Sequence, residues 1–236
     1  GCKGLPCQKV RNKHRQPAIE AETWCGSNVS WSWCKPYAIY LQQAAIEKNL
    51  SSARIPSRYF NKTFADYTVD DNNRLAVGYA KSALETKKGA FFFGERGTGK
   101  TFLASIIAQE FIKVGSTVIF IKVPQLLDEL YNAISGKSQS DTVAILKDLY
   151  SADLLILDDF GMEKATKFAG ATLCKIIDAR YDAEAMTIVT SNYPLETIQE
   201  ELDNATDGES CNGSRIVDRL REMCKPILFK GNSRRV

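Results

Sequence analysis

Long apolar runs are missing from this sequence. No stretch of its 236 residues approaches the 18 or so needed to cross a bilayer, and no secretory leader is visible. The expectation is therefore a soluble, cytoplasmic protein without a membrane partner. Internal repeats and low-complexity tracts are missing too, and histidine occurs once, at His14. A start at Gly1 rather than Met leaves any upstream sequence open. Strong net charge is also lacking: +3 is too little to argue for nucleic acid by itself. Acids are absent from the first 19 residues, which carry Lys3, Lys9, Arg11, Lys13 and Arg15. They are absent again from the last dozen, which carry Lys225, Lys230, Arg234 and Arg235. Such ends either track a phosphate backbone or are solvated tails, and composition leaves both open. What remains is an ordinary globular balance, 44% hydrophobic and 25% charged, enough for one good core and a small appendage.

The most informative segment is Gly94-Glu95-Arg96-Gly97-Thr98-Gly99-Lys100-Thr101, which fits G-x-x-x-x-G-K-[S/T] without a gap. The apolar run Ala90-Phe91-Phe92-Phe93 before it reads as a buried strand. The stretch from Phe102 to Val114, apolar at 103, 106, 107, 111 and 114, reads as a helix. Glycines let backbone N–H groups turn around a phosphate chain, and the helix start adds its positive dipole end. Lys100 would reach the β- and γ-phosphates, and the Thr101 hydroxyl would ligate Mg²⁺. A nucleoside triphosphate is the expected ligand. Beside such a motif, seven cysteines argue for a reducing compartment rather than a disulfide framework. Cys174, Cys211 and Cys224 are scattered and read as small buried hydrophobes or idle thiols.

Three regions are expected: a cysteine-rich segment over 1–48, a linker over 49–71 and a nucleotide-binding domain over 72–236. A short helix is predicted near Pro36–Lys48, and another from about Asn72 to Glu85. After the phosphate loop, strands and helices alternate. Thr117–Val123 is a predicted strand, and Pro124 opens a helix to about Ile134. A loop over 135–141 and a short helix over 142–150 follow. Leu154–Leu157 is a strand ending in Asp158-Asp159, Lys167–Glu184 a helix, and Met186–Thr190 a strand running into Ser191-Asn192. A polar loop over 203–214, a helix over 214–223 and a strand at Ile227–Lys230 complete the pattern. Repeated strand–helix units with apolar strands mean a parallel sheet covered on both faces.

An apolar strand ending in two carboxylates supplies the second half of a triphosphate site. Asp158 would hold the Mg²⁺ shell and Asp159 would polarise the attacking water. Asn192, at the end of a third strand, can hydrogen-bond the γ-phosphate or that water; it can equally be a turn asparagine beside Pro194. Arg215 and Arg219 share a helix face, suited either to a neighbouring subunit's phosphate or to a solvated basic surface.

Taken together, Gly94–Thr101, Leu154–Gly161 (LLILDDFG), Thr187–Asn192 (TIVTSN), Gly213–Leu220 (GSRIVDRL) and Gly231–Arg235 (GNSRR) resemble the AAA+ ATPases. The resemblance is to the IstB/DnaC/DnaI branch, which contains replicative-helicase loaders, and Ile55–Tyr67 is similar to that branch's leading segment. It covers about residue 54 to the end. It implies a five-stranded AAA+ (ASCE) parallel sheet between helices, without a full helical lid. It assigns Asp158 and Asp159 to the Walker B motif, Asn192 to sensor 1, Arg219 to an arginine finger (Arg215 being the alternative) and Arg235 to a sensor-like nucleotide contact. Ile55, Pro56 and Tyr59 would line the adenine pocket. Many AAA+ proteins carry Glu where Asp159 stands, which bears on the rate.

The function this implies is an ATP-dependent loader of a replicative helicase onto single-stranded DNA. It would assemble as a ring or spiral and hydrolyse ATP slowly, with DNA stimulation, at subunit interfaces. Lys122 and the segment around Lys137 are candidate DNA contacts. Three alternatives stand beside it: a transposition helper ATPase of the IstB kind, a nucleotide-switch adaptor with negligible turnover and, more weakly, a small-molecule kinase. At the amino end, Cys2, Cys7, Cys25 and Cys34 are spaced x4, x17 and x8 rather than as paired Cys-x2-Cys. Structural Zn²⁺, with His14 as a substitute ligand, an iron–sulfur cluster and no metal at all remain open there.

Overall fold

Successive side chains of a strand point to opposite faces, and in Ala90-Phe91-Phe92-Phe93 both directions are apolar. Such a strand is stable only when covered on both sides. The computed structural model describes residues 35–136, 139–161, 165–206, 213–231 and 233–234, and it has that architecture. Helices α1 (Lys35–Ser52) and α2 (Arg74–Thr86) precede strand β1 (Gly89–Gly94) and helix α3 (Lys100–Lys113). Then come β2 (Val118–Lys122), α4 (Val123–Ser135), α5 (Gln139–Ser151) and β3 (Leu154–Phe160). The chain continues through α6 (Lys167–Asp182), β4 (Met186–Ser191), α7 (Leu195–Thr206), α8 (Gly213–Met223) and β5 (Cys224–Phe229). The five strands are parallel in the order β2-β3-β4-β1-β5.

Side-chain alternation sorts the core into two layers. Ala90, Phe92, Leu154, Ile156 and Ile188 face α1, α2 and α3, whereas Phe91, Leu155, Leu157 and Val189 face α4 to α8. Phe91 and Phe92 are both fully buried, each worth about 2–3 kcal/mol of transfer free energy. Local chemistry sets several boundaries. The Thr166 hydroxyl caps α6 by accepting from the Ala169 N–H, and Pro124 sits in the first turn of α4.

Differences from the sequence-based expectation are local. Helix α7 was not anticipated, although its buried Leu195, Ile198 and Leu202 fall at i, i+3 and i+7. Strand β5 begins at Cys224 rather than Ile227 because it lies at the sheet edge, where Pro226 leaves no ladder bond unmade. Val114 does not join the apolar face of α3; it caps that helix and is 76% exposed. Among the described residues, no helix is long and apolar enough to cross a membrane.

Candidate nucleotide-binding site

The sheet order places β4 between the phosphate-loop strand β1 and the carboxylate strand β3. The three carboxyl ends therefore deliver their polar residues to one place, as parallel sheets do. Lys100 opens α3 and is nearly buried. Its ammonium donates to the carbonyls of Gly94 and Glu95, both at 2.7 Å, and to Asn192 Oδ1 at 3.1 Å. The Thr98 hydroxyl closes the loop internally on the Glu95 carbonyl at 2.8 Å. The glycines at 97 and 99 are required twice over. Their φ angles are +82° and +100°, and a Cβ would lie 2.2 Å from Ser233 Oγ and 2.6 Å from Tyr67 Oη respectively.

A bulge aims the two carboxylates. Leu157 pairs with Val189 and Phe160 with Ser191, so Asp158 and Asp159 together oppose Thr190 alone. Asp159 takes φ +58°, a left-handed conformation that a non-glycine residue holds only under constraint. The Thr190 hydroxyl supplies that constraint, donating to Asp158 Oδ1 at 2.6 Å and accepting from the Asp159 N–H at 3.1 Å. Thr101 Oγ1 donates to the same Asp158 oxygen at 2.8 Å. Burial holds the Asp158 carboxyl above its usual range, with Asp159 adding repulsion; the bonds from Thr190 and Thr101 pull the other way. Asp159 is more exposed and pairs with Lys122 Nζ at 3.0 Å. Lys122 therefore lines this cleft, and Lys137 lies outside the described residues.

Asp158 Oδ2 is buried and has no hydrogen-bond partner. Such an oxygen is costly unless a cation meets it. With the Thr101 hydroxyl beside it, the pair fits Mg²⁺, which takes one or two protein oxygens and fills the rest with phosphate and water. Among the described residues, no cluster of three or more His, Cys, Asp and Glu could hold a metal by itself. Cys2, Cys7, Cys25, Cys34 and His14 lie outside the described residues, as does Cys211. Cys174 is buried but disulfide-bonded, so it is not the idle thiol the sequence suggests. Cys224 is buried and free, and desolvation pushes its thiol up to about 12.

A cleft of about 760 Å³ runs from Lys100 and Asp159 past Arg96 and Gly97 to Tyr59 and Phe102, within the range of small-molecule sites. Tyr59 stacks on Phe102 with ring centroids 5.1 Å apart and planes 9° from parallel. Gln109, buried in α3, fixes that wall by donating to the Tyr59 carbonyl at 2.9 Å. Pro56 caps the turn Ser57–Tyr59, whereas Ile55 is buried in the core and does not line the cleft. Burial raises the Tyr67 phenol to about 12. The carboxy-terminal arginine in the cleft is Arg234; Arg235 is outside the described residues.

Arg219 does not line the cleft. It makes an ion contact with Asp178 that lacks hydrogen-bond alignment, and its guanidinium lies 4.9 Å from the Tyr181 ring centre. Arg215 reaches the same carboxylate at 2.9 Å. The sequence alone assigns no site role to Thr190, Gln109, Tyr67 or Arg234. Thr190, Tyr67 and Arg234 fall inside the segments that carry the resemblance, but only the strand order and the meeting of distant segments show what each contacts.

Comparison with known proteins identifies the family. A family model described as IstB-like ATP binding protein matches residues 41–236. The replicative helicase loader DnaC of Buchnera aphidicola subsp. Acyrthosiphon pisum is 27% identical over 181 residues, covering 75% of this chain and 70% of that protein. The DnaC loader of Escherichia coli (strain K12) is 25% identical over 229 residues, covering 91% and 86%. A crystal structure of DnaI superposes with a TM-score of 0.64 at 25% identity, covering 77% of this chain and 95% of that one.

Proposed function

Because the chain belongs to the family of IstB-like ATP binding proteins, we propose that it is an ATPase that loads a replicative helicase onto single-stranded DNA. One observation carries the ATPase reading: two hydrogen-bonded pairs, Lys100 with Asn192 and Thr101 with Asp158, meet where Lys100, Thr101 and Asn192 line the cleft. The loader reading is supported by relatives named replicative helicase loaders.

In this reading the base enters the Tyr59 and Phe102 end and the triphosphate runs along Gly97 to Thr101. Lys100 exchanges its bonds to loop carbonyls for β- and γ-phosphate oxygens. Thr101 and Asp158 would hold Mg²⁺, which would supply neutralisation of phosphate charge. Asp159 orients a water and receives its proton as the water oxygen bonds the γ-phosphorus. The bond to the bridging oxygen breaks, leaving ADP and phosphate. Asn192, which directly follows β4 and accepts from Lys100, would hydrogen-bond the γ-phosphate or the attacking water. Arg219 of a neighbouring copy adds positive charge, which requires it to leave Asp178. Copies arranged in a ring or spiral would present their inner surface to single-stranded DNA.

A second reading, an ATP-dependent switch with negligible turnover, is favoured by the Lys122–Asp159 ion pair, which occupies the water-activating carboxylate. Single-turnover hydrolysis with and without single-stranded DNA separates the two. The loader reading expects Mg²⁺-dependent hydrolysis that rises with DNA and a stable complex with a replicative helicase. Complex formation with a transposase instead would move the chain to the transposition helpers. Absence of ATP uptake at millimolar concentration would end every version.

A further inference from the structure

Two segments far apart in sequence close over the phosphate loop. From the amino side, Tyr67 Oη donates to the Gly99 carbonyl at 3.4 Å. From the carboxyl side, the Arg234 N–H donates to the Gly97 carbonyl at 2.9 Å. Arg234 also ties the two segments to each other. Its NH1 donates to the Thr68 carbonyl at 2.8 Å, and its NH2 pairs with Asp70 Oδ2. The turn it grips is built for the purpose. Asn73 is 1% exposed, donates to that same Thr68 carbonyl at 2.9 Å and accepts from the Asp70 N–H at 2.9 Å.

We propose that Arg234 is a positioning residue for the phosphate loop, joining the tail to Gly97 and to the Thr68–Asp70 turn so that the loop is held ready for a triphosphate. The proposal rests on the reading of this cleft as a nucleoside triphosphate site. Glycine loses more conformational freedom on ordering than any other residue, and this loop has three at positive φ, Gly94, Gly97 and Gly99. Contacts that order such a loop before binding raise affinity by removing that entropy from the binding step. The guanidinium is partly exposed, and its hydrogen bonds run to the Thr68–Asp70 turn. It therefore acts on the loop rather than on global stability.

The test compares the unaltered protein with Arg234→Ala, Asp70→Asn and both together. Magnesium–ATP affinity, single-turnover rate at saturation, melting temperature and hydrogen exchange of the ligand-free protein are measured. Arg234→Ala is expected to weaken affinity about tenfold, the size of one charge-assisted contact, and to speed exchange at the Gly97–Thr101 amides. The saturated rate and the melting temperature should hardly move. The double variant should be no weaker than Arg234→Ala, because both changes break one device. Affinity within twofold of the unaltered protein, additive losses, or a general fall in melting temperature with exchange faster everywhere would each overturn the proposal. Failure of the unaltered protein to take up ATP would overturn the triphosphate reading and this proposal with it. Unchanged uptake by Arg234→Ala would overturn this proposal alone.

Discussion

Thr190 and Asp158 share a 2.6 Å hydrogen bond across neighbouring strands, and the same threonine oxygen receives the Asp159 N–H. One side chain thus fixes the direction of one carboxylate and the backbone of the next. Its position inside β4 makes it insensitive to movement of surface loops. Thr190→Val keeps the volume and removes both bonds. Magnesium-dependent ATP affinity should fall about tenfold, with a stability loss of ~1–3 kcal/mol from the orphaned N–H. Magnesium titrations of nucleotide binding, set beside chemical denaturation, check both values.

Asp158 carries a cost in the free protein. Its carboxyl is buried, one oxygen has no partner, and burial raises its pKa above the usual 3.8. Asp158→Asn should therefore abolish magnesium-dependent ATP binding while leaving the ligand-free protein as stable or more stable by about 1–2 kcal/mol. The sign of the pH dependence follows from the raised value. The penalty is fully present above the folded-state pKa. It is relieved as pH falls through that value, and it is gone below 3.8. The melting difference between the two proteins should therefore narrow on acidification from neutral pH. A gap that widens would contradict this assignment.

How much of this was legible in the sequence depends on how locally each feature is specified. The phosphate loop could be read residue by residue because glycine at positive φ, lysine and threonine each meet a requirement within eight positions. The Asp158-Asp159 pair was legible because it ends a continuous apolar run. The bulge that aims it was not, since it depends on β4 lying alongside, and strand order leaves no local trace. Helix α7 was missed for a different reason: its apolar residues are few, and Pro194 with the adjacent turn obscured a periodicity that Leu195, Ile198 and Leu202 do carry.

Arg219 is held by Asp178 and the Tyr181 ring, away from its own chain's cleft. If it serves a neighbouring copy, Arg219→Ala should leave ATP affinity unchanged. It should also reduce DNA-stimulated hydrolysis by about a thousandfold, the lower range for an arginine finger. Mixing Arg219→Ala with Lys100→Ala protein should restore part of the activity, because one mixed interface then has both an intact cleft and an intact arginine. Arg215→Ala is expected to change the rate little. Full activity of Arg219→Ala, or no recovery on mixing, would remove the interface model.

Arg180 makes a contrasting prediction at the opposite end of the sheet. It is fully buried, yet its bonds run to neutral groups: Thr187 Oγ1 at 2.9 Å and the carbonyls of Leu149, Ala152 and Met186 at 2.7, 3.0 and 2.6 Å. Leu149 and Tyr150 are in the last turn of α5, where carbonyls lack helical donors and the dipole is negative. The guanidinium thus joins the end of α5 to the start of β4 and satisfies oxygens that water cannot reach. Desolvation lowers its pKa to about 10 without discharging it at neutral pH. Arg180→Leu removes the charge but strands those carbonyls, so it should destabilise by about 3–5 kcal/mol. Lysine offers a compact ammonium in place of the planar fork and should recover only part of the loss. Because the site is remote from the phosphate loop, ATP affinity of the folded fraction should stay the same. Urea denaturation with nucleotide titration at low temperature separates the two effects. A loss of affinity without a loss of stability would show that Arg180 serves the cleft rather than the core.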